Sequence, residues 1–279
     1  MPTRTDSTPV GVGLFTFNIG NPSVERAERQ LAWLSRRPED VLVLTETADS
    51  NGCRFLAERF TTAGYVVVFP VPDRTSRERG VMLISRLPAV PGKWTGRLDY
   101  LPGRVASLTV DTPSGPLEVI GAYVPSRDAS EAKTTRKKRF LEALLTGLAD
   151  EDQTGHRALL GDLNILEPDH QPRYPIFRPF EYDAYRALTT EHGLTDAFRH
   201  LHPDTAEYSW VGRTGDGYRY DHAHISHHLT GAVTSCEYDH EPRLTRLSDH
   251  SALTVNLAVS GPEPLLVSDP IAIDQQPLF

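Results

Sequence analysis

The chain has 279 residues, 39% of them hydrophobic and 24% charged, an ordinary globular balance that excludes disorder throughout. Its formal net charge of -8 argues against a protein that coats nucleic acid indiscriminately, and its two cysteines are too few for a disulfide framework. Nowhere do 18 apolar residues run together as a membrane span requires, and the N-terminus has no apolar stretch of signal-peptide length, so a cytoplasmic protein is expected.

Apolar, β-branched runs recur along the chain at 12–19, 41–46, 65–69, 80–85, 104–110 and 117–124, then at 157–164, 218–226, 231–238 and 251–259. Helical spacing falls between some of them: Leu31, Trp33 and Leu34 within 24–36, Phe140, Leu141, Leu144, Leu145 and Leu148 within 131–149, and a mixed segment at 183–193. Ten strands need at least one large sheet. Several follow one another with no helix between, so two sheets face to face with flanking helices fit better than a doubly wound parallel sheet. The expected organisation is one domain over 10–259, a flexible arm at 1–9 and a flexible proline-containing tail at 260–279. There is no internal repeat and no glycine-rich phosphate loop.

Polar residues stand at the ends of these apolar strands, where side chains project from a rigid support. Asn18 ends the first run, Glu46 the second and Tyr123 the sixth. Asp162 and Asn164 end "ALLGDLN", Asp221 lies within "YRYDHAHIS", and Asp249 and His250 precede the last strand. Each has an ordinary alternative as a turn former, a helix cap or a half-buried histidine. As a set of carboxylates and amides with one histidine and no cysteine, they are hard-ligand chemistry suited to Mg2+ or Mn2+ rather than zinc.

The motifs "FNIG", "LTET", "GVMLISR", "GAYVPS", "GDLNI", "LTDAFRHLHPDTAEYSW", "YRYDHAHIS" and "SDH", in that order over about residues 12–259, resemble the endonuclease/exonuclease/phosphatase superfamily, particularly its exonuclease III-like abasic-site endonuclease branch. The resemblance implies a DNase I-like four-layer α/β/β/α sandwich with two mostly antiparallel sheets, and a Mg2+-dependent phosphodiester hydrolase. It implies Glu46 as principal metal ligand, with Asp249 assisting and Asn18 orienting the site as a further ligand. Asp162 would activate the attacking water or serve the leaving oxygen, and Asn164 would position that water or a phosphate oxygen. His250, held and charged by Asp221, would hydrogen-bond the phosphate, and Tyr123 would donate to a phosphate oxygen. Gly20 departs from the pattern: many relatives carry Asp or Asn there, which puts a two-metal mechanism in doubt.

The core motifs leave the phosphate ester open. By the resemblance, Trp210, Tyr218 and Tyr220 would form a pocket for an extruded abasic sugar, against the alternative of core aromatics at a sheet edge. The basic run "KTTRKKR" at 133–139 is either a solvated face or a helix start that receives DNA phosphates, with Arg127 and Lys133 as the expected strand contacts and Arg79, Arg86 and Arg104 widening the rim. His222, His224, His227 and His228 lack further ligands at zinc spacing, so packing or surface roles are expected. The leading reading is a monomeric DNA repair nuclease that cuts 5′ to abasic sites, with 3′-5′ exonuclease or 3′-phosphodiesterase activity. The alternatives are the same site acting on RNA 3′ ends, a small nucleotide, an inositol phosphate or a lipid headgroup, and a dead binding module, which the intact set of polar residues disfavours. The final "QQPLF" resembles the peptide that docks on the bacterial sliding clamp, through Gln275, Leu278 and Phe279.

Overall fold

The computed structural model describes residues 11–72, 77–149 and 155–273. One six-stranded sheet runs in the order β13-β14-β1-β2-β4-β3, from Val233–Asp239, Ala252–Ser260, Gly11–Asn18, Val41–Thr47, Gly80–Ser85 and Val66–Val68. A second runs β5-β6-β7-β8-β12-β9, from Ala89–Pro91, Val105–Thr112, Gly115–Ala122, His156–Asp162, Asp221–Ser226 and Leu194–Asp196. A small hairpin, β10 (Trp210–Val211) with β11 (Gly217–Tyr218), stands apart from both.

Each sheet is antiparallel except at one pair, β1 with β2 and β7 with β8. A parallel pair needs a crossover. Helix α1 (Val24–Leu34) supplies the first and α3 (Glu131–Ala149) the second. Both parallel pairs therefore bring two strand C-termini side by side, and Asn18, Glu46, Tyr123 and Asp162 all lie at such ends.

Alternation along the strands builds the four layers. Leu14, Val43, Val119, Leu160 and Val255 point between the sheets into a central core. The intervening Phe15, Phe17, Leu42 and Leu44 face outward, where Leu31, Trp33 and Leu34 of α1 and Leu56 and Phe60 of α2 (Asn51–Thr62) cover them. On the far side, Ile120 and Leu159 meet Phe140, Leu141, Leu144 and Leu148 of α3 and Leu188 of α4 (Pro179–Thr190). The expected α/β/β/α sandwich is what the chain adopts.

Some expectations are corrected. Helix α2 lies where no helix is expected, because Asn51 and Gly52 weaken its start; Gly52 is needed there, since a Cβ would sit 2.1 Å from the Pro22 carbonyl oxygen. The run 218–226 is not one strand but breaks between the hairpin and β12. Short α5 (Ala197–Leu201) and α6 (Glu241–Leu244) are also added. The tail is not loose over its first part: Leu265 N donates to Arg86 O at 2.8 Å, Ser268 N to Ala63 O at 2.8 Å, and the Arg59 guanidinium to the carbonyls of Ile271 and Ile273. Gln275, Leu278 and Phe279 lie outside the described residues, as does the arm at 1–9. Among the described residues no helix is long and apolar enough to cross a membrane.

Candidate active site

The polar strand ends converge on one cleft of about 320 Å3. Asn18, fully buried behind it, is the hub. Its Oδ1 accepts the Gly20 amide at 2.9 Å, which fixes the side-chain amide so that Nδ2 donates to Glu46 Oε2 at 3.2 Å and to Asp162 Oδ2 at 2.9 Å. Gln30 of α1 braces this end of β1 by donating to the carbonyls of Ile19 at 3.0 Å and Leu247 at 2.8 Å.

Glu46 reaches the cleft through a β-bulge. Thr45 pairs with Val81 and Thr47 with Gly80, so Glu46 has no partner on β4, and its φ of 56° is left-handed. A bulge re-aims one side chain, and such a backbone in a non-glycine residue stores strain that the surroundings must hold. The carboxylate is 30% exposed, with Arg79 Nε at 3.9 Å.

Asp162 is placed by its neighbours in "GDLN". Gly161 has φ 148°, and a Cβ there would lie 1.9 Å from the Ala122 carbonyl oxygen across the parallel β7–β8 pair. Gly161→Ala is therefore expected to destabilise the fold by about 3 kcal/mol or more, read as a lower urea midpoint. Asp162 Oδ1 accepts the Asn164 amide at 2.9 Å, and Asn164 itself sits at φ 50°, its side chain donating to Val124 O at 3.0 Å. Burial and the nearby Asp221 push the Asp162 carboxyl up to about 7, against the pull of His250, Asn18 and the Asn164 amide.

Asp221 faces Asp162 directly across the β8–β12 ladder. Its Oδ2 holds His250 Nδ1 at 2.7 Å, and Tyr238, from the other sheet, donates its hydroxyl to the Asp221 carbonyl at 2.5 Å. Burial alone would lower the His250 pKa; Asp221, with Asp162 and Asp249, overrides it and raises it to about 10. The imidazole is thus a cation at neutral pH, with Nε2 4.0 Å from Asp162 Oδ2. Tyr123 is nearly buried under the Arg104 guanidinium, 4.7 Å from its ring centroid. Burial first, then Glu46 and Asp162, hold its phenol well above the ordinary range, so it stays a donor.

Glu46, Tyr123, Asp162, Asn164, Asp249 and His250 line the cleft, with Trp210 and Tyr220 on its wall. Asn18 and Asp221 support from behind. Asp249 is exposed and accepts the Trp210 indole N–H at 2.9 Å. Tyr218 does not line the cleft but stacks behind Tyr220, with centroids 5.1 Å and planes 20° apart.

The basic rim is largely spoken for. Lys133 is exposed beside Asp128 at 2.9 Å and does not line the cleft. Arg127 lines it, but its side chain is only 3% exposed and is engaged with Glu181. Arg86 pairs with Asp40, and Arg104 and Arg136 both pair with Glu78. His222 and His224 are buried packing residues: His222 Nε2 meets Ile165 O at 3.1 Å, and burial lowers the His224 pKa to about 3, keeping it neutral. Sequence reasoning missed Ile176 and Phe177 on the wall and Lys137 and Glu181 at the floor.

The donor set fits a hard cation. Asp162, Asp221 and His250 bring polar atoms within 4.8 Å of one another, of which the carboxylates and not the His250 imidazolium have lone pairs for a metal. Asp221 Oδ1 is buried with no hydrogen-bond partner among the described residues. Because Asp221 Oδ2 and His250 Nδ1 already satisfy each other, the half-exposed Glu46 carboxylate is the better-placed open ligand. Burial first, and then the Asp221 charge, raise the Asp162 pKa, and a nearby divalent cation would favour its ionised form.

Comparison with known proteins agrees with this geometry. The DNA repair nuclease APEX1 of Danio rerio is 25% identical over 284 residues, covering 92% of this chain and 86% of that relative. An AP endonuclease from Archaeoglobus fulgidus superposes with a TM-score of 0.72 at 26% identity, over 88% of this chain and 99% of that one. The 3′-5′ exonuclease NExo from Neisseria meningitidis superposes at 0.73 and 27% identity over the same shares, and the 3′ phosphatase NExo from Neisseria bound to a product DNA hairpin at 0.73 and 26%. The sequence profile of the Endonuclease/Exonuclease/phosphatase family matches residues 15–250. With most of its length matched, the chain belongs to that family.

Proposed function

We propose that the protein is a Mg2+-dependent DNA repair nuclease that cleaves the phosphodiester 5′ to abasic sites, with 3′-5′ exonuclease or 3′-phosphodiesterase activity at the same centre. The observation that carries this reading is the joining, in one cleft, of Asp162 beside the Asp221–His250 pair with an aromatic wall of Trp210 and Tyr220. The named relatives, which are repair nucleases and 3′-end enzymes, support DNA as the substrate.

Glu46, with Asp249, would hold the Mg2+, for which Mn2+ can substitute. Asn18, expected as a further ligand, would instead orient Glu46, because its Oδ1 is taken by the Gly20 amide and its Nδ2 faces the carboxylate. When bound, the ion supplies positive charge at the phosphate. The remaining work falls to side chains. Asp162, with a pKa near the working pH, takes a proton from the attacking water, whose position the Asn164 amide sets. The His250 imidazolium and the Tyr123 hydroxyl donate to phosphate oxygens as charge accumulates there. As the bond from phosphorus to the 3′ oxygen breaks, the leaving oxygen takes up a proton from solvent. Asp221 keeps the imidazole protonated and aimed.

Wild-type protein with Mg2+ is expected to cut duplex DNA with one abasic site, and DNA 3′-blocked ends, well ahead of RNA 3′ ends and small phosphomonoesters. Preference for either of the latter would move the substrate to another phosphate ester. On abasic duplex, Trp210→Ala should raise KM about 10-fold, the size of the apolar packing lost against the extruded sugar. Steady-state kinetics with and without the lesion check it.

A further inference from the structure

The cleft floor holds a charge cluster that the hydrolytic roles above leave unused. Glu181 is fully buried; Lys137 Nζ meets its Oε1 at 2.6 Å, and the Arg127 guanidinium donates to its Oε2. The two cationic side chains are 1% and 3% exposed. The three residues come from α3, the start of α4 and the segment after β7, so the cluster ties separate elements together.

Each cation also has a second bond, and these go to different places. Lys137 donates to the carbonyl of Asn164, the left-handed residue whose amide holds Asp162. Its ammonium also lies 5.7 Å from the ring centroid of Phe177 on the cleft wall. Arg127 donates to the carbonyl of Ile176, the neighbouring wall residue. Glu181 in addition accepts the Arg178 amide at 2.9 Å, which closes the start of α4. Burial alone would raise the Glu181 pKa, yet Arg127 and Lys137 hold it below the usual carboxylate range, so Glu181 is ionised, while burial lowers the Lys137 ammonium pKa against the pull of Glu181.

Three desolvated charges are a costly way to fill a core that apolar side chains of equal volume would fill more cheaply. A left-handed Asn164 also persists only where its surroundings over-determine it. We infer that Lys137, Glu181 and Arg127 are positioning residues for the hydrolysis: Lys137 sets the Asn164 backbone and through it Asp162, while Arg127 sets the Ile176–Phe177 wall against which the substrate packs. The inference deepens the proposed hydrolytic reading and rests on it for its kinetic arm. It also replaces the expected DNA-strand contact of Arg127 with a structural one.

The test uses full-length protein and the variants Lys137→Met, Lys137→Arg, Arg127→Met and the double variant Lys137→Met/Glu181→Gln. Kinetics are measured on abasic duplex with Mg2+, and backbone amide exchange over 163–166. Lys137→Met should lower kcat about 30-fold with KM within about threefold, while Arg127→Met raises KM about 10-fold and spares kcat. Lys137→Met should speed exchange over 163–166 about 10-fold without doing so in β1. The double variant leaves the buried Arg127 guanidinium facing a neutral amide, so it should melt below Lys137→Met and recover none of the kcat, while Lys137→Arg should recover part of kcat. Loss of melting temperature with kcat and KM unchanged, or a double variant that regains full kcat, would overturn the inference. If the wild type cuts no DNA, the hydrolytic reading fails, and unchanged or accelerated exchange over 163–166 still decides whether Lys137 positions Asn164.

Discussion

Asp162→Asn is expected to lower kcat by about 10^2- to 10^4-fold, the usual contribution of a positioned general base. Measured at pH 8 without divalent metal, it should leave the melting temperature unchanged or higher. Burial and Asp221 raise the folded pKa of Asp162 to about 7, above the ordinary value of an unfolded aspartate. A group raised in this way favours the folded state while protonated and loses that contribution as pH climbs through its folded pKa. At pH 8 the ionised carboxylate is therefore a burden on the fold, and a neutral amide of the same shape removes it. Its oxygen can still accept from Asn18 or from the Asn164 amide. Activity that falls while stability holds is the signature of a functional carboxylate; a parallel loss of both would make Asp162 a structural residue.

The second large effect concerns Asp221→Asn. The raised His250 pKa depends on Asp221, since burial by itself lowers it. Without that charge the imidazole should be neutral at pH 8, and kcat should fall by about 10^2-fold or more with the loss of a cationic donor to the phosphate. Wild-type activity should rise through about pH 7 as Asp162 ionises and fall near pH 10 as His250 loses its proton; a bound divalent cation moves the acid limb lower. In Asp221→Asn the alkaline limb should move down by several pH units. The effect on stability has the same sign as for Asp162: the Asp221–His250 pair stabilises the fold fully below the unfolded histidine pKa and loses that contribution as pH rises through about 10. A kcat–pH profile whose alkaline limb is the same in both proteins would exclude His250 as the charged donor.

Much of this centre is legible before any coordinates, for a physical reason. Asn18, Glu46, Tyr123 and Asp162 each interrupt an apolar run, and a polar group at the end of a buried strand must find either a partner or a task. The pairing of strands is not local information, however. That Glu46 is thrown into the cleft by a bulge follows from Thr45 and Thr47 pairing with residues of β4, which no spacing along the chain reveals. Helix α2 is hidden for a similar reason, because Gly52 is selected by close approach to Pro22 rather than by helix propensity.

The basic run 133–139 misleads in an instructive way. Composition makes it a phosphate-facing patch, yet Lys137 lies on the buried stripe of α3 with Phe140, Leu141, Leu144 and Leu148. Helical periodicity was the available signal: a lysine in register with the apolar face is a candidate for a buried ion pair, whereas Lys133, outside that stripe, is a surface residue. Tyr218 and Tyr220, two residues apart, share a face and stack on one another, so alternation does not divide them, yet only Tyr220 reaches the cleft while Tyr218 stacks behind it. The loop that carries Ile176 and Phe177 has no periodicity to place it.

The most direct measurement is cleavage of an end-labelled duplex with a single abasic site by wild-type protein, in Mg2+ and in EDTA, beside Asp162→Asn in Mg2+. A cut 5′ to the abasic site that needs Mg2+ and is lost in Asp162→Asn is the expected result. Intact duplex under all three conditions, or equal cutting by the wild type and Asp162→Asn, would contradict a metal-dependent nuclease built on Asp162.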